Sequence, residues 1–343
     1  MIELETVAGL LVASLAGGAF GAAVGALPAF TLTGLLVVVG EVYALIGRTV
    51  TEIPALDITG ALAFGPLFGP HVSFAGGAAA VAYAAREGYL DETGQPYDAK
   101  AVDKGLGARW DLLAVGAIFG AVGESIAIVA GPRVLTLPLD PVALGVVGSA
   151  LAHRAVLGYS VLGQFDGGVF DMSSHERDIA PDGGRTVDPW LPYQYQWGNV
   201  AALGLAVGAL GGYLAYLTGS AFLGFGLSTV ALVYINAGTP DIPVTHHVTL
   251  PASTAVLALA AGSVETATPG AVSGAMSPLV ALGVGAVFGL LGAVLGEGTQ
   301  RLLYAHAETH LDPPAASIVL TSLLVGVLAM VGVLPGPVWV PQP

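Results

Sequence analysis

The stretch Pro70-His71-Val72-Ser73-Phe74-Ala75-Gly76-Gly77-Ala78-Ala79-Ala80-Val81-Ala82 returns in the second half of the chain as His246-His247-Val248-Thr249-Leu250-Pro251-Ala252-Ser253-Thr254-Ala255-Val256-Leu257-Ala258. Each copy sets a histidine, a hydroxyl two residues later and a run of small residues inside an apolar segment. Upstream, Asp57-Ile58 is answered by Asp241-Ile242. Downstream, Ala114-Val115-Gly116-Ala117-Ile118-Phe119-Gly120 is answered by Gly283-Val284-Gly285-Ala286-Val287-Phe288-Gly289, and Leu139-Asp140-Pro141 by Leu311-Asp312-Pro313. A glycine ladder, Gly17, Gly21 and Gly25, has a counterpart in Gly204, Gly208 and Gly212. The common order of these matches predicts a duplication, with repeat 1 over residues 1–163, an acidic and aromatic linker over 164–197, and repeat 2 over 198–343.

The composition identifies the solvent. Hydrophobic residues make up 55% of the chain and charged residues 10%, with a mean hydropathy of +0.79. Apolar runs recur over Val7–Leu27, Thr31–Ile46, Ile58–Ala85, Leu112–Ala130, Pro141–Val161, Val200–Leu217, Ala221–Ile235, Leu279–Gly296 and Ala315–Leu334. Most approach the roughly 20 residues that a helix needs to cross a bilayer. The runs do not alternate in polarity as barrel strands do. The first run follows Met1-Ile2-Glu3-Leu4-Glu5, acidic where a cleavable signal is basic, so it reads as a spanning helix. The expected class is an all-α polytopic protein of the cytoplasmic membrane whose partner is the lipid bilayer.

The net charge of −14 comes from 24 acidic against 10 basic residues. An acidic aqueous surface is a lever used in halophiles, and a salt-loving source is expected. No basic patch supports nucleic-acid binding. The chain has no cysteine, which excludes disulfides and thiolate metal sites. Nucleophile elbows, phosphate loops and dinucleotide fingerprints are missing, so no enzyme activity and no cofactor are expected.

Topology turns on the two histidine segments. If each crosses the membrane, there are about ten transmembrane segments, and two five-segment repeats must be inverted relative to each other. If each re-enters, the repeats run parallel. Counting Lys and Arg by side leaves eight against two either way, so the positive-inside rule does not choose. Two Gly-Pro steps in Gly65-Pro66-Leu67-Phe68-Gly69-Pro70 break the first segment, and the reading adopted is a discontinuous helix in each inverted repeat. Half-helices are expected at about Ser73–Arg86 and Pro251–Val264, with Ser73 or Thr249 as caps and Pro251 in a first turn.

Such breaks expose backbone groups able to bind solutes. The expected transport path comprises Glu124, His71 and His247, with His246, Glu41, Glu297, Asp57, Asp241, Ser73 and Thr249. Histidines can relay protons or gate with pH. A carboxylate inside an apolar run costs about 2.5–3.5 kcal/mol on an insertion scale and so turns to a cavity or a partner. Glu124 has no basic neighbour in sequence, whereas Glu297 can pair with Arg301 one turn on. Asp57 and Asp241 suit helix caps as well as entrance groups, and Asp140 and Asp312 suit caps of the helices that follow them. His153-Arg154 is expected at a helix end by the membrane face. His306, Glu308 and His310 are expected on a solvated loop. The function expected is transport of a small ion or solute through a site between the repeats. The glycine ladders fit close helix contacts within the chain or in a homo-oligomer. An alternative is a non-transporting oligomeric scaffold that presents acidic loops to a partner.

Overall fold

A computed structural model describes residues 4–48, 50, 54, 56–90, 97–163, 168–170, 172, 190–239 and 241–343. These form helices, with no strand among the described residues. The acidic residues expected in the linker, Asp166, Asp171, Glu176, Asp178, Asp182 and Asp188, lie outside the described residues.

In the first half the helices are α1 (Leu4–Val24), α2 (Ala26–Gly47), α3 (Ser73–Arg86), α4 (Trp110–Ala130) and α5 (Pro141–Leu157), with a π-turn at Ile58–Ala63. The second half holds α6 (Trp197–Thr218), α7 (Leu223–Val230), α8 (Val233–Asn236), α9 (His246–Ala260), α10 (Pro269–Ala275), α11 (Pro278–Gln300), extended by a π-turn to Ala305, and α12 (Pro313–Met330). Six helices are long and apolar enough to cross a membrane: Glu5–Val24, Ala26–Gly47, Trp110–Ala130, Trp197–Thr218, Pro278–Ala305 and Pro313–Met330. Pro141–Leu157 and Leu223–Asn236 are apolar but shorter. Six such helices fit a multi-pass membrane protein. Their outward faces carry large apolar side chains such as Val12, Ile118, Leu210 and Val287, all more than half exposed, as a surface solvated by lipid requires.

The histidine segments are the innermost elements. Almost every residue of α3 and α9 is buried, mostly alanine, glycine, serine and threonine. In lipid, helix association rests on close packing, not on release of water, and small residues let these two helices sit inside the others. α3 lies against α1 and α4, and α9 lies against α6 and α11. The outer pairs close on glycine. A methyl group at Gly208 would lie 2.7 Å from Gly289 Cα, and one at Gly120 would lie 2.7 Å from Gly18 Cα. The ladder glycines Gly208 and Gly212 are therefore consumed within the chain, against Gly285 and Gly289 of α11. Between the halves, α2 packs on α7 and α5 packs on α12. One apolar cluster there joins Phe30, Phe74 and Val146 to Phe225, Leu250 and Ile318.

Helix starts follow local chemistry. Asp140 and Asp312 cap α5 and α12, each followed by proline at the first helical position, where a missing N–H costs nothing. Gly25, with φ +101°, turns α1 into α2. α3 begins at Ser73, as expected, but Ser73 does not cap it. Its Oγ donates to the Phe68 and Gly69 carbonyls at 3.2 and 3.3 Å. α9 differs from expectation because it begins at His246, so Pro251 sits inside the helix and Thr249 does not cap it. The Thr245 carbonyl starts this helix by accepting from Val248 and Thr249 N–H at 2.9 and 3.0 Å. An interior proline removes one backbone bond, here to the carbonyl four residues back. That carbonyl is His247 O, which packs on Gly292 of α11, and His71 O packs on Gly123 of α4 in the same way.

Outside the spanning helices, Tyr89 donates to Asp111 Oδ2 at 2.5 Å beside Arg109, which donates to the same oxygen at 2.9 Å. The bond to Asp111 raises the Tyr89 phenol above its usual pKa and ties the loop to the head of α4.

Candidate functional site

Two cavities meet at the centre of the protein. The larger encloses about 280 Å³ and is walled by Phe64, Pro70, Pro132, Asp140, Pro141, Phe222, Phe225 and Trp339, among others. The smaller encloses about 180 Å³ beside Lys100, Val102, Asp103, Trp190, Leu191, Tyr304 and His310. Four residues wall both cavities: Phe30, Phe74, His246 and Asp312. This shared border of two benzyl rings, an imidazole and a carboxylate is called the waist below.

The cavities lie toward opposite ends of the spanning helices. Lys100 and Asp103 precede α4 while Pro132 follows it, and Trp190 and Leu191 precede α6 while Phe222 follows it. His310 precedes α12, and Trp339 follows it.

His246 is 2% exposed, and its Nδ1 has no hydrogen-bond partner. Its ring meets Phe30, Phe225 and His247 edge-on, with centroids at 4.9, 5.5 and 5.9 Å. Asp312 caps α12 by accepting from Ala315 N–H on Oδ2 at 2.9 Å. Its other oxygen, Oδ1, lies 3.6 Å from His310 Nε2. Asp140 caps α5 with one oxygen, Oδ1, which accepts from Val142 and Ala143 N–H at 2.8 and 3.1 Å. The Asp140 N–H itself donates to Ser322 Oγ of α12 at 2.8 Å, so the two capped starts are tied together across the halves.

Of the residues expected on the path, His246 is the one that walls these cavities. The others lie away from them, most of them bonded to neighbouring side chains or backbone. His71 Nε2 is 2.7 Å from Glu124 Oε2, and both side chains are buried. Glu41 accepts from Thr59 Oγ1 at 2.8 Å and from Ser220 Oγ at 2.5 Å, one hydroxyl from each half. Glu297 accepts from Arg301 Nε at 2.5 Å and Gln300 Nε2 at 3.2 Å, and Arg301 goes on to the carbonyls of Phe170 and Tyr195. Asp57 accepts from Gly60 N–H at 2.7 Å as the cap of the first π-turn. Asp241 is exposed. His247 packs on Gly296 and edge-on to Trp190. Thr249 shares a 3.3 Å contact with Ser228.

Three features were not expected from the sequence. The loop carrying His306 and His310 is buried, not solvated. It is held by Arg154, which donates to Thr309 Oγ1 at 2.9 Å, Thr309 O at 2.7 Å and Val161 O at 2.8 Å. His153 and Arg154 lie in the last turns of α5, at a helix end as expected, and are fully buried there. Gln194 exchanges two bonds with the Val244 backbone, at 2.7 and 2.9 Å, and so fixes the approach to α9. The repeated Leu-Asp-Pro turns were the signal that pointed to Asp140 and Asp312, since both recur at one place in each half.

Among the described residues no group of three His, Cys, Asp or Glu is arranged to hold a metal ion. No curated protein and no solved structure matches the chain. Over residues 1–343 the chain belongs to a family of unknown function, DUF7973.

Proposed function

We propose that this protein is an integral membrane transporter or channel that moves a small ion or solute between the two cavities, through the waist at Phe30, Phe74, His246 and Asp312. The observation that carries the reading is that two cavities, each toward a different end of helices long enough to span a bilayer, share a partly polar border of four residues. A buried imidazole nitrogen without a partner is costly where nothing binds it. His246 combines such a nitrogen with a place on both cavity walls, so a turn of its ring would offer that nitrogen to a passing solute.

The same reading takes the chain as two inverted five-segment repeats. Adding the two shorter apolar helices and the two histidine helices to the six long ones makes ten segments. Packing supports the duplication: α1 meets α4 and α3 as α6 meets α11 and α9. It also refines the pairing, because Gly18, and not Gly21, takes the place of Gly208 against the fourth helix, while Gly21 and Gly211 face Ser73 and Thr249. Inversion is supported by the smaller cavity, where the loop against the end of α1 (Leu27 N–H donates to Val102 O at 2.8 Å) meets Trp190, just before the start of α6. A scaffold would use the Gly208 and Gly212 faces for assembly, and they are packed inside the chain.

The test is solute flux into proteoliposomes that carry the full chain. Flux that exceeds empty vesicles and falls on Phe74→Trp supports the path. A protein-independent leak for every small ion and neutral solute tried would overturn it.

A further inference from the structure

We infer that the waist recognises a small organic ammonium ion, held by the Asp312 carboxylate, by hydrogen bonding to His246 and by the aromatic rings around them. This rests on the transport reading for its physiological use, although the binding site is argued on its own geometry.

Charge comes first. Helix N-termini that open onto a cavity normally favour anions. Here both are reversed, because Asp140 and Asp312 occupy the free N–H groups of α5 and α12 and place two carboxylates on the larger cavity. Among the described residues no lysine or arginine walls that cavity. An anion entering it would meet like charge with no compensation.

Shape and polarity come next. The rings of Phe30, Phe64, Phe74, Phe222, Phe225 and Trp339 wall about 280 Å³. A bare divalent cation would shed its water onto roughly six or more oxygen ligands, and among the described residues the charged side chains walling that cavity are the Asp140 and Asp312 carboxylates alone, each already committed through one oxygen to its helix cap. An alkylammonium ion fits both demands, since its carbon body contacts the rings and its charge is attracted by their faces. The chain already shows this pairing on the neighbouring cavity, where Lys100 Nζ stands 4.5 Å from the Tyr304 ring centroid, and Tyr304 in turn packs on His310.

The polar contacts then select the head group. His246 Nδ1 is buried and unpartnered, and both ring nitrogens of His310 lack a hydrogen bond. Asp312 turns Oδ1 away from its cap toward His310. A primary ammonium carries N–H donors for this imidazole and this carboxylate. A quaternary ammonium has none.

Calorimetric titration of the purified full chain in detergent, at constant ionic strength, with ethylammonium, tetramethylammonium, acetate and urea tests the assignment. Ethylammonium should bind and tetramethylammonium more weakly. Asp312→Asn removes the charge but keeps the cap, because asparagine caps as well as aspartate, and should weaken ethylammonium binding roughly tenfold or more, as loss of a charge-assisted bond implies. His246→Ala should narrow the difference between the two ammonium ions. Preference for acetate or urea, or unchanged ethylammonium affinity in Asp312→Asn, would overturn the assignment. Ethylammonium binding with no flux in proteoliposomes would keep the site and remove the transport reading; flux of urea or acetate without ammonium binding would do the reverse.

Discussion

His71 Nε2 lies 2.7 Å from Glu124 Oε2 and ties the break before α3 to the middle of α4. The second half has no such pair at the matching place. The carbonyls of His71 and His247 rest on Gly123 and Gly292, and the residue after each glycine is Glu124 in one half and Ala293 in the other. The first half thus holds its break with a buried polar link, the second with the Pro251-containing helix and the Gln194 clasp on Val244.

Glu124→Ala should destabilise the protein strongly, because removing one partner of a buried pair leaves the other unsatisfied, at a cost of about 3 kcal/mol. Glu124→Gln keeps an acceptor and should lose clearly less. In a thermal-melting cycle in detergent, His71→Ala should cost little more on the Glu124→Ala background. Additive losses would show that the two side chains act independently.

Glycines at the helix crossings should tolerate no side chain. Gly208→Val places Cβ against the α11 backbone, which cannot move aside as a side chain can, and overpacking of this kind costs about 1–3 kcal/mol or more. Gly283→Ala meets nothing within 4 Å and should gain up to about 1 kcal/mol of helix propensity. Monodisperse yield by fluorescence-detected size exclusion compares them. Equal yields would mean that these crossings are looser than described.

On the path proposed above, the aromatic rings shared by both cavities should set the rate of passage. Phe30→Ala or Phe74→Ala removes one of two rings shared by both cavities and should raise flux while weakening selectivity among small solutes. Stopped-flow measurement on proteoliposomes reads both. A drop in flux with folding intact would place the barrier elsewhere.

Capping at Asp140 should be separable from its charge. Asp140→Ala loses the bonds from Val142 and Ala143 and should cost about 1 kcal/mol, whereas Asp140→Asn should melt like the parent. Equal melting of the Ala and Asn variants would show that the cap contributes nothing.

Arg154 should be sensitive even to a conservative change. Its three bonds fan to two oxygens of Thr309 and to Val161 O, a geometry the planar guanidinium supplies and an ammonium does not. Arg154→Lys should lower the melting temperature and open the His306–His310 loop to proteolysis. Unchanged proteolysis would mean that the loop is held by other contacts.

Much of the framework was legible because bilayer-solvated helices announce themselves by length and apolarity. The start of α3, the Asp57 cap and the Glu297–Arg301 pair are local effects within a few residues, so the sequence carries them. The His71–Glu124 pair, the burial of Arg154 and the prominence of His246 over His247 were not legible. Each depends on which residues of distant helices share one depth, and no local pattern encodes that. Pro251 misled for a related reason. Local rules place proline at a helix start, whereas here Gly292 lets the carbonyl it leaves unpaired pack closely against α11.

By itself the sequence determined that the chain carries helices fit for a bilayer, that stretches of its first half recur in its second, and that the recurrence centres on a histidine before a run of small residues. Those properties follow from composition and order alone. Only the tertiary structure decided that His71 pairs away with Glu124 while His246, beside Asp312, stands between two cavities. The reason is that a place on a cavity wall is a property of three-dimensional packing: identical imidazoles differ only in what the neighbouring helices bring to them.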